Sequence, residues 1–574
     1  MHSLKYLFIS VALFAFTTSL LLADEASEST GDEQDEIEEV IVKPVLSNVS
    51  YSANVSSYEL LSHATDVLNL FPSLAFDNSI GQIRSRGAEA NHLGIQVDGY
   101  DIGDPVSEFN FATMSCVGIA SIQFNPTPAS GAIAGVLNLR STIEPVRSLI
   151  LGGGSAGNLM QFSLGLENHS LALSNRHWNG VDVRNDGDVD SLQHLVFHYH
   201  FRAHNQWEST IRYGQSIQEY DPGVANIEQS LVGITGTILN RIVVRASSSI
   251  NRAVWEESFT ANSYGSRTKL GVLIPLSDFF SIDTTKTYDV NKSFVRGQAV
   301  RKPINTSIVN FIYQQSISAL SWVGSIRMTD SSQDSAIFST NFHTFWNLPS
   351  FLLDDVDVRL FVEIDDKTVS FPSMIDRYGW GQAWLPNPQV KPELGSGIDI
   401  GFKLSAPAGH VQLTRFHHRL RDKISFGRNV SENVDYGRNR GVEILWNWGW
   451  TTRLSSQLSY SYLDSETRQS KVHAYVRTQR RPSNILTGVV DFTTNYSQTV
   501  VQSRWVDKSI DACWRGCETL DPHLLVNFTY MRQIGQRVSA SAQVYNVFDE
   551  SYALVYGYNT PGRMFTLSLQ LNFE

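Results

Sequence analysis

The chain has little of several things. Three cysteines in 574 residues leave room for one disulfide at most. Charged residues make up only 18%. Beyond the first two dozen residues no apolar run approaches the roughly 18–20 residues that a membrane-spanning helix needs. No basic stripe is present, which argues against nucleic acid as a partner. No Rossmann fingerprint, P-loop, zinc signature or G-x-S-x-G elbow stands in the strand–turn–helix setting that would give it chemical meaning. The sequence therefore points away from an enzyme, and no catalytic residue is named.

What is abundant is aromatic and small polar. The chain holds 30 Phe, 21 Tyr and 12 Trp, and its Ser, Thr, Asn and Gly content suits short alternating strands better than helices. The clearest strand ends the chain. Phe565, Leu567, Leu569, Leu571 and Phe573 alternate with Thr566, Ser568, Gln570 and Asn572, a period of two that gives one apolar and one polar face. Alternation recurs at Leu195–Phe201, at Ile444–Trp450 and at Leu458–Tyr462. Such strands fit either a soluble sandwich hiding its apolar face or an outer-membrane barrel showing that face to lipid. At this length the chain forms several domains or one large barrel.

The N-terminus reads as an export signal. Lys5 precedes the apolar run Leu7 to Phe16, and cleavage is expected after Ala23; a retained membrane anchor is the alternative. Asp24, Glu25, Glu28, Asp32, Glu33, Asp35, Glu36, Glu38 and Glu39 then supply nine negative charges with no Lys or Arg among them. A run of this kind is a solvated tail, and it accounts for most of the net charge of −12. Cys513 and Cys517 stand four apart in a polar stretch and read as a local disulfide in an oxidising compartment. Cys116 reads as a small core residue.

Four zones follow: residues 1–23 a signal peptide, 24–45 an acidic flexible tail, 46–142 an α+β module, and 143–574 alternating strands with polar loops. In the module, Leu60, Leu61, Val67, Leu68, Leu70 and Phe71 predict a helix that Pro72 stops. Strands are expected at Leu93 to Val97, Ile119 to Phe124 and Gly131 to Leu139, with a turn at Asp98-Gly99.

At several blocks the chain resembles the TonB-dependent outer-membrane receptors. Glu38-Glu39-Val40-Ile41-Val42 resembles the TonB box, a β-branched segment able to add a strand to a partner's sheet edge; its alternative is a first strand of the module. Ile83-Arg84-Ser85-Arg86-Gly87, Ile95-Gln96-Val97-Asp98-Gly99 and Ala132 to Leu139 resemble the family's plug, with Arg86, Gly87, Asp98 and Gly99 as the motif residues. Asn387 to Glu393, Asn433 to Val442, Asn546 to Tyr552 and Tyr556 to Arg563 resemble its barrel blocks. The terminal strand resembles the signal read by the barrel-assembly machinery, with Glu574 following the usual final aromatic.

The resemblance implies an all-β membrane protein of the bacterial outer membrane. Its fold would be a 22-stranded antiparallel transmembrane β-barrel with an N-terminal α+β plug in the lumen. It implies TonB and its inner-membrane energising complex as partners, outer-membrane lipid around the wall, and a small-molecule ligand. The C-terminal blocks and the size are most similar to the members that take up cobalamin (vitamin B12). A ferric siderophore or haem is the alternative ligand. A non-transporting surface receptor or adhesin is the alternative role, because Asn125-Pro126-Thr127 stands where the family has an R-G-P turn. No cofactor is required; Asp186, Asp188 and Asp190 lie in an early loop where such members hold Ca²⁺ and offer hard oxygen ligands, against the plainer reading of an Asp/Gly surface loop. His198 and His200 read as lumen packing. Counting strands back from the C-terminus puts 532–536 in a periplasmic turn and 507–520, with both paired cysteines, in an external loop.

Overall fold

The computed structural model describes residues 51–573 apart from 55–67, 69, 78–81, 104–108, 112–113, 128–131, 143–145, 186, 188, 204–205, 221–222, 257–261, 296–297, 349–354, 382–383, 427–428, 469–471 and 514–515. The expected box at Glu38 to Val42, the signal, the acidic tail and most of the expected helix lie outside the described residues.

Twenty-two antiparallel strands, from Arg147–Gly154 to Met564–Asn572, close into a barrel. The two-residue segment Val476–Arg477 rides beside Leu454–Arg468. Closure is made by the last strand pairing with the first, Thr566 opposite Gly154 through Asn572 opposite Ser148. The terminal strand behaves as its alternation predicts. Phe565, Leu567 and Leu569 are 53%, 61% and 53% exposed on the outer wall, while Ser568 and Gln570 are buried toward the lumen. In hydrocarbon that outer exposure is favourable, and every strand edge is consumed.

The end of the barrel that holds Arg147 and Asn572 carries connections of two to eight residues; at the opposite end four are long, namely 371–392, 469–483, 507–522 and 546–563. By the rule for outer-membrane barrels the short-turn end faces the periplasm. The expected turn lies at 534–537 between His523–Gln533 and Val538–Tyr545. Cys513 and Cys517 are disulfide-bonded in the long loop 507–522.

Inside the barrel sits a five-stranded sheet. Its members are β1 (Tyr51–Asn54), β4 (Gly94–Val97), β5 (Tyr100–Asp101), β6 (Ile119–Asn125) and β7 (Val136–Ser141), ordered β1-β6-β7-β4-β5. Only β4 and β7 run parallel. A separate hairpin joins β2 (Leu74–Asp77) and β3 (Gln82–Ser85). The Asp98-Gly99 turn has φ of 53° and 81°, the two left-handed residues of a type I′ hairpin between β4 and β5. The Gly/Ala-rich segment begins its strand only at Val136, because Gly135 at φ 93° packs where a Cβ would meet the Asn125 carbonyl at 2.0 Å. Tyr51, Phe71, Ile95, Val97, Phe111, Phe124, Leu137 and Leu139 form the core of this module, and Cys116 is buried in it.

The wall is shaped to the module. A Cβ at Gly233 would meet the Tyr100 ring at 2.5 Å, and one at Gly395 would meet Ile133 at 2.6 Å. Replacing Leu567 by Arg should cost about 2–4 kcal/mol in lipid if it lies near mid-bilayer. The expected readout is loss of heat-modifiable gel migration, which Ser568→Ala on the lumen face should keep.

Candidate functional site at the plug–barrel contact

The functional side chains lie where the inner module meets the wall. Arg86 follows β3 in a left-handed turn, φ 48°, which throws its side chain sideways into the barrel. Its Nη1 donates to Asp399 Oδ2 at 2.6 Å, its Nη2 to Glu443 Oε2 at 2.6 Å and its Nε to Glu443 Oε1 at 2.8 Å. The guanidinium lies 4.5 Å over the Phe416 ring. Tyr51 adds a hydroxyl donated to Glu443 Oε2 at 2.5 Å, and His418 Nε2 lies 2.8 Å from Asp399 Oδ1. All of these ionic side chains are buried. Burial opposes the Arg86 charge, but the Asp399 and Glu443 carboxylates outweigh it and hold the group firmly protonated. Burial, then the Glu443 charge, pushes the Tyr51 phenol well up, so it stays a donor.

A second ion cluster surrounds Glu89. Arg481 Nη2 approaches at 2.7 Å and Lys423 Nζ at 2.9 Å. Burial would raise this carboxyl, yet Arg481 and Lys423 bring it well below the usual range. Arg481 also donates to the Gly87 carbonyl at 2.9 Å, so both motif residues Arg86 and Gly87 touch the wall. His92 accepts the Glu89 amide on Nδ1 at 3.2 Å, which leaves Nε2 to donate to Glu393 at 2.6 Å.

Asp98 anchors the other flank. Its carboxylate accepts the Ser141 amide at 2.7 Å, the Ser141 hydroxyl at 2.5 Å and the Thr210 hydroxyl at 2.6 Å. His200 lies 3.4 Å from it and 3.6 Å from Glu208. Asp98, His200 and Glu208 bring metal-ligand atom types within 4.8 Å of one another, but the Asp98 oxygens are already engaged by three donors, and the group works as a hydrogen-bonded tie. Gly99 keeps the turn and donates its amide to Asn138 Oδ1 at 3.0 Å. His198, also facing the lumen, contacts Ser141 at 2.8 Å.

Toward the long-loop end a cavity opens between the β2–β3 hairpin and the wall, lined by Arg84, Arg480, Arg504, Asp507, His523 and Tyr552 among others. Arg480 is paired with Asp511 at 2.9 Å, and Arg504 donates to the Leu74 carbonyl at 2.8 Å. Of the three expected calcium ligands, Asp186 and Asp188 lie outside the described residues. Asp190 accepts the Val183 amide at 3.0 Å, closing its own loop. That loop is tied to the C-terminal loop through Asn559, whose amide donates to the Val183 carbonyl at 2.7 Å.

Sequence reading named Arg86, Gly87, Asp98 and Gly99 but missed Tyr51, Glu89, His92, Glu393, Asp399, Glu443 and Arg481. A single acidic residue on the lumen face of a strand, such as Glu443 between Val442 and Ile444, was the available signal.

A closed barrel of 22 strands filled by a separate domain defines a plugged outer-membrane transporter. Residues 139–572 match the model of the TonB dependent receptor-like β-barrel, and the chain belongs to that family. It is thus a TonB-dependent transporter of the Gram-negative outer membrane and not an enzyme. It is 21% identical over 547 residues to the vitamin B12 transporter BtuB of Photobacterium profundum, covering 86% of each chain. In fold it is similar to the siderophore receptor PirA of Acinetobacter baumannii (TM-score 0.74, 14% identity, 92% of this chain and 98% of that one). It is likewise similar to the FrpB iron transporter of Neisseria meningitidis (TM-score 0.73, 12% identity, 91% and 99%).

Two outcomes are expected. Arg86→Ala leaves the buried Asp399 with His418 alone and the buried Glu443 with the Tyr51 hydroxyl alone, and should destabilise the folded receptor by about 3–5 kcal/mol, read as a lowered denaturant midpoint. Burial raises the Asp98 carboxyl, but hydrogen bonding and charge from His200 and the Ser141 bond lower it further, to a net value below its ordinary range. A depressed carboxylate stabilises above its unfolded pKa, about 4, and that stabilisation is lost as pH falls below it. Thermal midpoints measured from pH 7 to pH 3 should therefore fall less steeply for Asp98→Asn than for the parent.

Proposed function

We propose that the protein takes up a scarce, large nutrient by energised transport, with cobalamin as the ligand. The observation that carries this reading is the similarity to a vitamin B12 transporter along 86% of both chains at 21% identity. The terminal blocks Asn546 to Tyr552 and Tyr556 to Arg563 support it. Ligand would be captured by the long external loops and the β2–β3 apex of the plug. TonB, bound at Glu38 to Val42 and driven from the inner membrane, would then pull on the plug. The rearrangement has to break buried charge–charge contacts such as Arg86 to Asp399 and Glu443, which gives the energy input a physical purpose.

A second reading is an anionic ferric chelate. The cavity wall carrying Arg84, Arg480 and Arg504 favours it, since guanidinium groups suit planar anions. For calcium, Asp186, Asp188 and Asp190 remain the proposed ligands.

Titration of the purified receptor with cyanocobalamin, with and without calcium, tests the assignment. Saturable binding strengthened by calcium is expected. No binding of cobalamin together with binding of an iron chelate would transfer the assignment to the second reading. Deletion of residues 38–42 should abolish energised uptake and leave surface binding intact; unimpaired uptake refutes the TonB step, and binding without any TonB-dependent uptake in the parent marks a non-transporting receptor.

A further inference from the structure

The charges that tie the inner module to the wall are unevenly placed around it. Arg86, Glu89 and His92 pair with Asp399, Glu443, Lys423, Arg481 and Glu393. Asp98 meets His200, and Asp101 pairs with Arg267 at 3.2 Å and with Lys269. A separate sector of five consecutive strands carries none of these partners. Its members are His523–Gln533, Val538–Tyr545, Met564–Asn572, Arg147–Gly154 and Gly157–Leu166, and they contain no Asp, Glu or Lys. Arg147 and Arg532 alternate onto the outward side with the exposed Leu151, Leu524 and Phe528. The lumen side is neutral and polar: Thr529 stands opposite Gln543, Ser541 opposite Ser568, and Gln570 opposite Ile150.

Cavities open on this sector toward both ends. The one beneath the long loops reaches His523 and Leu525. A second, of about 80 Å³, lies near the periplasmic end, where Cys116 and Thr142 of the module share its lining with Ser148, Gln161, Ser163 and Ser170 of the wall. Polar atoms mark the way between them. Ser170 Oγ in the lower cavity, and Ser541 Oγ and Gln543 Nε2 above it, are buried without a hydrogen-bond partner among the described residues. An unpaired buried polar group is costly, and neutral amide or hydroxyl groups on a passing molecule are the partners that suit these three.

Parting the module from the wall has different consequences on different sides. Where the ion pairs lie, separation strips buried charges of their partners. Along the uncharged sector it uncovers only small neutral groups. Once a pull has opened the Arg86 contact, this side parts without stranding another charge, while Asp98 and Asp101 still tie the module to Asp190–Ala203 and Asn262–Pro275.

We propose that ligand crosses the barrel along this uncharged sector, from the cavity at His523 to the cavity at Ser170, with the module hinged on its Asp98 and Asp101 contacts. The inference rests on the transport reading and adds the route and the ligand's surface chemistry, neutral hydrogen-bonding groups. The test bridges module to wall in cells with a short bifunctional thiosulfonate that reductant removes, and follows uptake and surface binding of labelled cyanocobalamin. Native Cys116 is bridged to Ser163→Cys across the lower cavity. For the control, in a Cys116→Ser background, Asn110→Cys is bridged to Gln218→Cys, whose native side chains are 3.1 Å apart on the hinge side. The first bridge should abolish uptake, leave surface binding unchanged and be reversed by reductant; the second should leave uptake intact. Heat-modifiable migration reports that each variant is folded, and Ser148→Cys replaces Ser163→Cys if that variant is not. Uptake that survives the Cys116 bridge, or that both bridges abolish alike, overturns the route and leaves the transport reading standing. Absence of uptake in the unbridged parent overturns that reading and the route with it.

Discussion

Hydrocarbon offers no partner to a backbone amide, so a strand that crosses a membrane must be paired on both sides along its whole buried length. In this chain that demand is met last by a single ladder, Met564–Asn572 against Arg147–Gly154. Without it two edges would face lipid, and no other pairing in the barrel could compensate. The ladder takes glycine on one side at Gly152 and Gly154, because Ser568 and the partner backbone crowd the space; a Cβ at Gly154 would meet the Phe565 carbonyl at 2.1 Å. The apolar face of the terminal strand therefore has two tasks. It solvates the barrel in lipid, and it fixes register, since a slip of one residue would turn Phe565, Leu567 and Leu569 inward.

Closure creates a second problem. A 22-stranded wall encloses a lumen too wide for its own side chains to fill, and the inward face is polar. The plug fills it and brings its own charges, so the contact is electrostatic where a soluble core would be apolar. Arg86 between Asp399 and Glu443 is the sharpest instance: it is costly to desolvate and far more costly to leave half-paired. Contacts of this kind are strong while water is excluded and weaken when water enters. A plug held by them is stable while dry and loosens where water enters, a behaviour that a purely hydrophobic interface would not supply.

Much of the fold was legible locally, because a period of two needs only a few residues to declare itself. Leu567 and Leu569 outside, Ser568 and Gln570 inside, and the Asp98-Gly99 turn all follow from such patterns. The partners of Arg86 were not legible. Glu443 lies 357 positions away, and one acid on a lumen-facing strand looks like any other polar lumen residue. Boundaries shifted where packing overrode composition: Ala132 to Gly135 read as strand, yet the close approach of Gly135 to Asn125 delays pairing until Val136.

The outward face of the strand Gly409–Phe426 was illegible for a related reason. Around Arg415 to Arg421 the lumen face carries Phe416, His418 and Leu420, while Arg415, Arg419 and Arg421 are exposed on the outer face. Alternation alone would turn Phe416 and Leu420 toward lipid. The pairing register decides it, by setting Arg415 level with Val442 and Arg419 level with Arg438 on a strand whose outward face is independently fixed by Trp446. The same strand thus meets the lumen on one face throughout, and on the other passes from Val411 and Leu413 to Arg415, Arg419 and Arg421.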